Sequence, residues 1–220
     1  MMSKAITLLL APLLALAGAV TGAQAQDAAA GEKKAAMCIG CHGIVGYQAS
    51  FPEIHKVPMI SGQGAKYIVS ALTAYKKGER KHPTMRGIAG SLSDTDMADL
   101  AAYYEKLGAA STPAVADTPA VAPTAAVAAL LTKGACVSCH GANFSKPIDG
   151  SYPKLAGQHA DYLSVALHAY SVQGNPQVGR GNALMAGQVK QFKREELKAL
   201  AQYIGSLPGE LRTVPQARFR

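Results

Sequence analysis

Hydrophobic and polar positions follow a helical period in two long segments of the chain. Apolar residues recur there at i, i+3, i+4 and i+7, which is the pattern of an amphipathic helix. These residues are Met97, Leu100, Ala101 and Tyr104 in the first segment and Leu197, Leu200, Ala201 and Ile204 in the second. Ser93 and Asp96 form a capping-box-like start for the first helix. Leu207-Pro208-Gly209 predicts the end of the second.

Two shorter segments, Tyr67–Tyr75 and Tyr162–Tyr170, have the same kind of periodicity. Each is followed by a glycine, Gly78 or Gly174, which we expect to end the helix. The stretches 31–36 and 126–134 are also compatible with helices. No segment shows a convincing strand alternation, so the pattern predicts an all-α fold.

Residues 109–124 interrupt the helical pattern with a run rich in alanine and proline that carries a single charge, Asp117. This composition favours extended, solvated backbone and predicts a semi-rigid linker. The linker separates two predicted domains, residues 26–108 and residues 125–220.

The two predicted domains repeat one another at nearly constant spacing. Cysteine, histidine, proline, glycine, glutamine, tyrosine and methionine positions all recur. The matched residues are Cys38, Cys41, His42, Pro58, Gly62, Gln63, Tyr67, Tyr75 and Met85 in the first domain and Cys136, Cys139, His140, Pro153, Gly157, Gln158, Tyr162, Tyr170 and Met185 in the second. Two copies do not make a solenoid, because each would need a core of its own.

Residues 1–25 have the pattern of an export signal. Lys4 is followed by an apolar run from Ile6 to Val20 and by the small-residue site Ala23-Gln24-Ala25. The run is shorter than the ~20 residues that span a bilayer, which favours a cleaved signal over an uncleaved anchor. We expect a mature protein outside the cytoplasm, without a transmembrane segment.

The charge of the chain first suggests a nucleic-acid binder. The sequence has 22 Lys and Arg residues against 14 Asp and Glu residues, a formal net charge of +8. However, the basic residues lack a recognition motif or interleaved stacking aromatics, and export would remove the polymer, so we expect no nucleic-acid partner. Export also makes free thiols improbable as a final state for the four cysteines.

Each domain carries the motif Cys-x-x-Cys-His, which is typical of covalent haem attachment. The cysteines are Cys38 and Cys41 in the first domain and Cys136 and Cys139 in the second. Two thiols three positions apart on one helical turn can reach the two vinyl groups of a porphyrin. The adjacent histidine, His42 or His140, then lies under the iron as proximal ligand. The sequence predicts two covalently bound haem c groups.

Three other uses of the cysteines are less consistent with the pattern. A structural zinc site wants two cysteine pairs about 12–20 residues apart, far closer than these pairs. A thioredoxin-like redox pair expects a βαβ setting, which the helical pattern does not offer. Plain disulfides give no reason for a histidine directly after both pairs.

The repeat also identifies the sixth iron ligands. Met185 is the one methionine after Cys136, and Met85 is its repeat partner at nearly the same distance from the motif. A thioether in this position raises the reduction potential of a haem. Met59 and Met97 have no counterparts, and Met97 lies on the apolar face of a helix, which favours a role in the core.

Four histidines remain as rival ligands. None recurs in the other domain, so we expect surface or hydrogen-bonding roles for His55, His82, His159 and His168. His82 stays a possible competitor, because it lies three residues before Met85 and a second histidine on the iron would lower the potential.

These motifs, together with the repeated Pro-x-x-x-Gly-Gln-x-x-x-Tyr element, resemble the diheme cytochromes c of the cytochrome c4 type. That resemblance implies two tandem class I cytochrome c domains, each a small helical fold around one covalent haem with His/Met ligands, packed with the haem edges facing each other. Two features depart from the family: a longer, Ala/Pro-rich linker, which leaves rigid packing open, and a more elaborate stretch at Tyr47–Val57, interpretable as a haem-edge element or a surface loop.

The resemblance further implies a periplasmic electron carrier rather than an enzyme. Its expected route runs from a quinol-oxidising bc complex toward a haem-copper oxidase or another reductase, by outer-sphere transfer. Two alternatives stay open at this stage. One is the cytochrome subunit of a periplasmic dehydrogenase, and the other is a diheme peroxidase or thiosulfate-oxidising enzyme with a displaceable iron ligand.

Overall fold

The computed structural model describes residues 26–109 and 115–216. The predicted export signal, residues 1–25, lies outside the described residues, as do residues 110–114 of the predicted linker. Within the described ranges no helix combines the length and the apolar character that crossing a bilayer requires.

Helices dominate both halves of the chain, as the sequence predicted. The first half contains α1 (Ala28–Lys34), α2 (Ala36–His42), β1 (Gln48–Ala49), β2 (His55–Lys56), α3 (Ala65–Lys77), β3 (Arg80–Lys81), α4 (Pro83–Gly90) and α5 (Asp94–Ala109). The second half contains α6 (Ala125–Lys133), α7 (Val137–His140), α8 (Ala160–Ala169), β4 (Gly179–Arg180), α9 (Ala183–Val189) and α10 (Arg194–Ser206). The strands are only two residues long and pair antiparallel, β1 with β2 and β3 with β4.

The two long amphipathic helices form the centres of two hydrophobic cores. In α5 the predicted capping box is present: the Ser93 hydroxyl accepts from the Asp96 N–H at 3.1 Å, and the Asp96 carboxylate accepts from the Ser93 N–H at 3.0 Å. The predicted apolar residues of both helices are buried: Met97, Leu100, Ala101 and Tyr104 in α5 and Leu197, Leu200, Ala201 and Ile204 in α10. The helical period therefore predicted both cores correctly.

One predicted helix end is wrong. Gly78 ends α3 in the left-handed conformation, at φ 74°, as expected. Helix α8 instead ends at Ala169, before Gly174 is reached. The N–H groups of Ser171 and Val172 bond carbonyls three residues back, at 2.8 and 3.3 Å, so a tighter turn replaces the α-helical bonds. Gly174, at φ 72°, belongs to the following loop.

Helix α1 packs against α5 through a point of close backbone approach at Gly31. A methyl group on Gly31 would lie 2.1 Å from the Asp99 carbonyl oxygen. The Asp99 carboxylate bonds both ends of α1. It accepts from the N–H of Asp27, the residue before the helix, at 3.0 Å and from Nζ of Lys34, the last residue of the helix, at 2.7 Å. The Lys34 ammonium and the hydrogen bonds lower the pKa of Asp99, which keeps it charged.

The two halves dock directly on each other. Strands β3 and β4 belong to different halves and pair Arg80 with Arg180. An isolated bridge joins Ser61 to Arg212, whose N–H donates to the Ser61 carbonyl at 2.9 Å. The packing that the linker composition left open is thus a defined interface.

The described part of the linker lies along the second half. The Ala116 carbonyl accepts from the Asn143 side chain, and Asp117 pairs with Lys146. Further on, the Val121 carbonyl accepts from the Tyr203 hydroxyl at 3.0 Å. This segment has no regular secondary structure before α6, in agreement with its proline content.

We predict that Gly31→Ala destabilises the protein by about 1–3 kcal/mol, because the added methyl group overpacks the contact between α1 and α5. Urea unfolding followed by far-ultraviolet circular dichroism measures this. The control is Gly90→Ala, an exposed position in α4 where an added Cβ meets nothing within 4 Å. The control should leave stability unchanged or raise it by up to about 1 kcal/mol. Equal destabilisation in both variants would contradict the close-packing explanation.

Candidate haem sites

Each candidate site begins at a short helix that carries the Cys-x-x-Cys-His motif. Cys38, Cys41 and His42 lie on α2. In the second half Cys136 directly precedes α7, which contains Cys139 and His140. No disulfide joins these four cysteines in the described residues, so each remains available to a haem. Burial raises the pKa of the Cys38 and Cys136 thiols.

Both motif histidines are oriented by a proline carbonyl. His42 Nδ1 lies 2.8 Å from the Pro58 oxygen, and His140 Nδ1 lies 3.3 Å from the Pro153 oxygen. A carbonyl only accepts, so Nδ1 carries the hydrogen and Nε2 keeps its lone pair. Burial lowers the pKa of both imidazoles, which favours the neutral form that binds metal. The prolines stood in the repeat, but their role was not visible from the sequence.

The two predicted methionines occupy equivalent positions, each the third residue of a short helix. Met85 lies on α4 and Met185 on α9. Each helix is capped by the residue three positions earlier: His82 Nδ1 accepts from the Met85 N–H at 3.4 Å, and Asn182 Oδ1 accepts from the Met185 N–H at 2.9 Å. His82 therefore has a structural counterpart, which a search for recurring histidines missed.

The two unmatched methionines lie elsewhere. Met97 is 1% exposed in the core of the first half, where the Thr73 hydroxyl donates to its sulfur at 3.8 Å. The predicted core role of Met97 is confirmed. Met59 is half-buried, and its backbone N–H donates across the interface to Gln158 at 3.0 Å.

Two of the remaining histidines, His55 and His168, make side-chain hydrogen bonds as expected, although His55 is not at the surface. His55 is 6% exposed and its Nδ1 lies 2.9 Å from the Lys56 carbonyl oxygen. Its ring packs edge-on against His82 and Tyr162. His168 Nε2 lies 3.1 Å from an Arg194 nitrogen.

The elaborate stretch of the first half is a hairpin at the interface. Strands β1 and β2 close it, and the Lys56 N–H donates to the Asp161 carboxylate of α8 at 3.0 Å. The hairpin thus contacts the second half, a location that neither sequence interpretation specified.

Two arginines meet between the two sites. The Tyr162 hydroxyl accepts from Arg80 Nη2 at 2.6 Å and from Arg180 Nη2 at 3.1 Å. Tyr75 lies under the Arg80 guanidinium at 4.5 Å, and Tyr170 lies 5.4 Å from that of Arg180. Burial alone would raise the pKa of Tyr162, but the two cations outweigh it and lower that pKa to about 8. We call these five residues the arginine–tyrosine cluster.

The cluster lacks the negative charge that it needs. Among the described residues, neither Arg80 nor Arg180 forms a salt bridge with a carboxylate. Arg80 Nε is buried without a hydrogen-bond partner. Buried cations are costly unless paired. Haem propionates would supply the missing anions, so the residues present fit the group that the cysteine motifs predict.

The sequence contained the signal for this cluster. Arg80 and Arg180 each precede the candidate methionine by the same number of residues. The match was missed because arginine was treated as surface charge rather than as part of the repeat.

Comparisons with known proteins find a cytochrome c domain in each half of the chain and relatives that match both halves. The cytochrome c family model matches residues 28–108 and 124–208. Cytochrome c4 of Azotobacter vinelandii is 31% identical, over 94% of this chain and 100% of that protein. The thiosulfate dehydrogenase electron acceptor of Stutzerimonas stutzeri is 33% identical, over 89% of this chain and 94% of that protein.

A solved structure has the same overall architecture. Reduced recombinant cytochrome c4 from Pseudomonas stutzeri superimposes with a TM-score of 0.58 at 28% identity, covering 84% of this chain and 100% of that one. Because the matches run through both halves and both attachment motifs, the chain belongs to the cytochrome c family and, within it, to the diheme electron carriers of the cytochrome c4 type, with two tandem class I domains and two covalently bound haem c groups.

Proposed function

We propose that His42 and Met85 are the axial ligands of the first haem iron, and His140 and Met185 those of the second. Cys38, Cys41, Cys136 and Cys139 form the thioether bonds. The equivalent histidine orientation in the two domains, each Nδ1 bonded to a proline carbonyl, is the observation that carries this assignment. It leaves each Nε2 available for the metal.

When bound, each haem supplies a one-electron couple between ferric and ferrous iron. The protein's part is to hold two ligands at each metal and to exclude water with the cores around α5 and α10. Thioether ligation and low polarity both favour the reduced form. Two strong ligands at each metal would leave no position for a substrate, which supports transfer of electrons without bond chemistry.

The arginine–tyrosine cluster supports transfer between the two haems. Arg80 comes from the first domain and Arg180 from the second, and one hydroxyl group bonds both. Propionates held by these arginines would lie on the two sides of a single hydrogen-bonded contact. The docked domains would therefore keep the two haems within reach of each other without motion of the linker.

We propose a periplasmic route for the electrons, from a quinol-oxidising bc complex toward a haem-copper oxidase or another reductase. Similarity to cytochromes c4 over nearly the whole chain supports this route. The excess of basic residues that remains after removal of the signal is concentrated in residues 125–220, which suits docking of the second domain to acidic surfaces of such partners, because opposite charge accelerates encounter. Export by cleavage after residue 25 would bring the protein to that compartment.

A second candidate role is electron acceptor of a periplasmic dehydrogenase. The 33% identity to a thiosulfate dehydrogenase electron acceptor favours it, at a coverage similar to that of the cytochromes c4. The haem chemistry is the same in both roles, so the difference lies in the docking partner.

The ligand assignment predicts that Met85→Ala and Met185→Ala each abolish methionine ligation at one haem. The charge-transfer absorption of methionine bound to ferric iron should fall to about half in each variant and vanish in the double variant. Optical and electron paramagnetic resonance spectra of the oxidised protein measure this, with Met97→Leu as the control that keeps full intensity. A signal from two histidines on one iron would contradict the role of Met85.

The cluster predicts that Arg80→Gln lowers haem potential. Removal of a buried cation stabilises the ferric state, because that state carries the extra positive charge. A tenfold change in the one-electron equilibrium corresponds to a fall in potential on the order of 60 mV. Spectroelectrochemical titration measures the shift. Arg86→Gln, an exposed position on α4, is the matched control and should leave both potentials near their wild-type values. Equal potential shifts in the two variants would contradict a specific role of Arg80 and would indicate an effect of general surface charge.

The route predicts rapid reduction of the protein by quinol in the presence of a bc complex, slowed at high salt because screening weakens charge steering. Stopped-flow absorbance with purified complex tests this, and thiosulfate with thiosulfate dehydrogenase serves as the competing donor system. Fast reduction by the dehydrogenase alone would favour the second role over the first.

A further inference from the structure

A glutamine from each domain bonds the backbone of the other domain in the same way. Gln158 Oε1 accepts from the Met59 N–H at 3.0 Å, and Gln158 Nε2 donates to the Met59 carbonyl at 2.9 Å. Reciprocally, Gln63 Oε1 accepts from the Lys154 N–H at 2.9 Å, and Gln63 Nε2 donates to the Lys154 carbonyl at 3.0 Å. Each glutamine amide thus bonds both the N–H and the carbonyl of one residue in the other domain.

The residue that each glutamine holds lies next to the proline that orients a haem ligand. Met59 follows Pro58, whose carbonyl accepts from His42 Nδ1. Lys154 follows Pro153, whose carbonyl accepts from His140 Nδ1. Two hydrogen bonds and one peptide unit therefore connect the glutamine of one domain to the proximal histidine of the other.

Both glutamines are held firmly enough to act as supports. Gln63 is 5% exposed and Gln158 is 3% exposed. Each Oε1 also accepts from the backbone of its own domain, from the Gly64 N–H at 3.1 Å and from the His159 N–H at 3.0 Å. These N–H groups belong to residues that precede α3 and α8, so a helix start anchors each side chain.

A glycine with positive φ precedes each glutamine. Gly62 has φ 88° and Gly157 has φ 76°, a conformation that other residues adopt only with strain. Gly62 also lies too close to the backbone of the second domain to carry a side chain, since a Cβ there would be 2.5 Å from the Glu210 carbonyl oxygen. The repeated Gly-Gln pair is therefore built into the interface.

We propose that Gln158 is a positioning residue for His42 and that Gln63 is a positioning residue for His140, so that each domain adjusts the haem potential of the other. The proposal rests on the axial ligand roles assigned above. A hydrogen bond from Nδ1 to a carbonyl makes the imidazole a stronger donor to iron and favours the ferric state. A loosened proline segment weakens that bond and raises the potential of the haem it serves.

The test is a crossed pair of variants, Gln158→Leu and Gln63→Leu, in the full-length protein with both haems. Spectroelectrochemical titration follows both potentials, and the spectral change caused by Met85→Ala identifies which transition belongs to the first haem. We expect Gln158→Leu to raise the first haem's potential and Gln63→Leu to raise that of the second. Each effect should be on the order of tenfold in the ratio of reduced to oxidised haem, the lower end of the change that loss of a hydrogen-bond partner of a metal ligand causes.

A second measurement separates positioning from loss of docking. Proton nuclear magnetic resonance of the reduced protein follows exchange of the histidine Nδ1 hydrogen with solvent, which should accelerate at His42 in Gln158→Leu and at His140 in Gln63→Leu. Gln191→Leu is the matched control, because Gln191 is exposed in the second domain and bonds Gln188. The control should change neither potential nor exchange.

Three results would overturn the proposal: a shift confined to the haem in the variant's own domain, equal shifts of both haems in both variants, or unshifted potentials. Each of these can occur while both irons keep histidine and methionine ligation in the wild type, which leaves the proposed function intact. Wild-type spectra without that ligation would instead remove the proposed function, and this inference with it.

Discussion

Two neighbouring guanidinium groups at the junction of the domains, one buried (Arg80) and one half-buried (Arg180), set the main physical constraint on this structure. Arg80 and Arg180 would repel each other and carry a heavy desolvation cost if they were left unpaired. The hydroxyls of Tyr162 and Tyr67, three aromatic faces and the expected haem propionates offset that cost. The short β3–β4 pairing and the packing of α8 on the β1–β2 hairpin lie at the same junction.

The residues of one repeated element contact different domains in the folded structure, which their order along the chain does not show. Within a domain, the proline of the Pro-x-x-x-Gly-Gln element orients the domain's own histidine. The glutamine of the same element reaches the other domain. One short motif therefore serves both ligand orientation and docking, and the docking is reciprocal because both copies keep it. The proposed electron transfer between the haems and the proposed tuning of each haem would use the same interface.

The two domains are similar without being equivalent. The first carries the β1–β2 hairpin, which places Lys56 against Asp161, whereas the second is covered by the described part of the linker through Asp117 and Lys146. The bond from histidine to proline is also shorter in the first domain, 2.8 Å against 3.3 Å. Such differences give the two candidate haem sites unlike surroundings.

The sequence by itself determined the features that depend on local spacing. The Cys-x-x-Cys-His motifs and the buried faces of α5 and α10 are readable because one helical turn brings their members together. Met85 and Met185 are candidates for a different reason, since they occupy matching positions in the repeat. Tertiary structure decided how the repeated arginines, tyrosines and glutamines meet across the interface, and it decided the early end of α8 at Ala169. Those features depend on groups from different domains or on turn geometry, and hydrophobic periodicity carries no information about either. Because the two halves dock, the repeated arginines and glutamines contact groups of the opposite half.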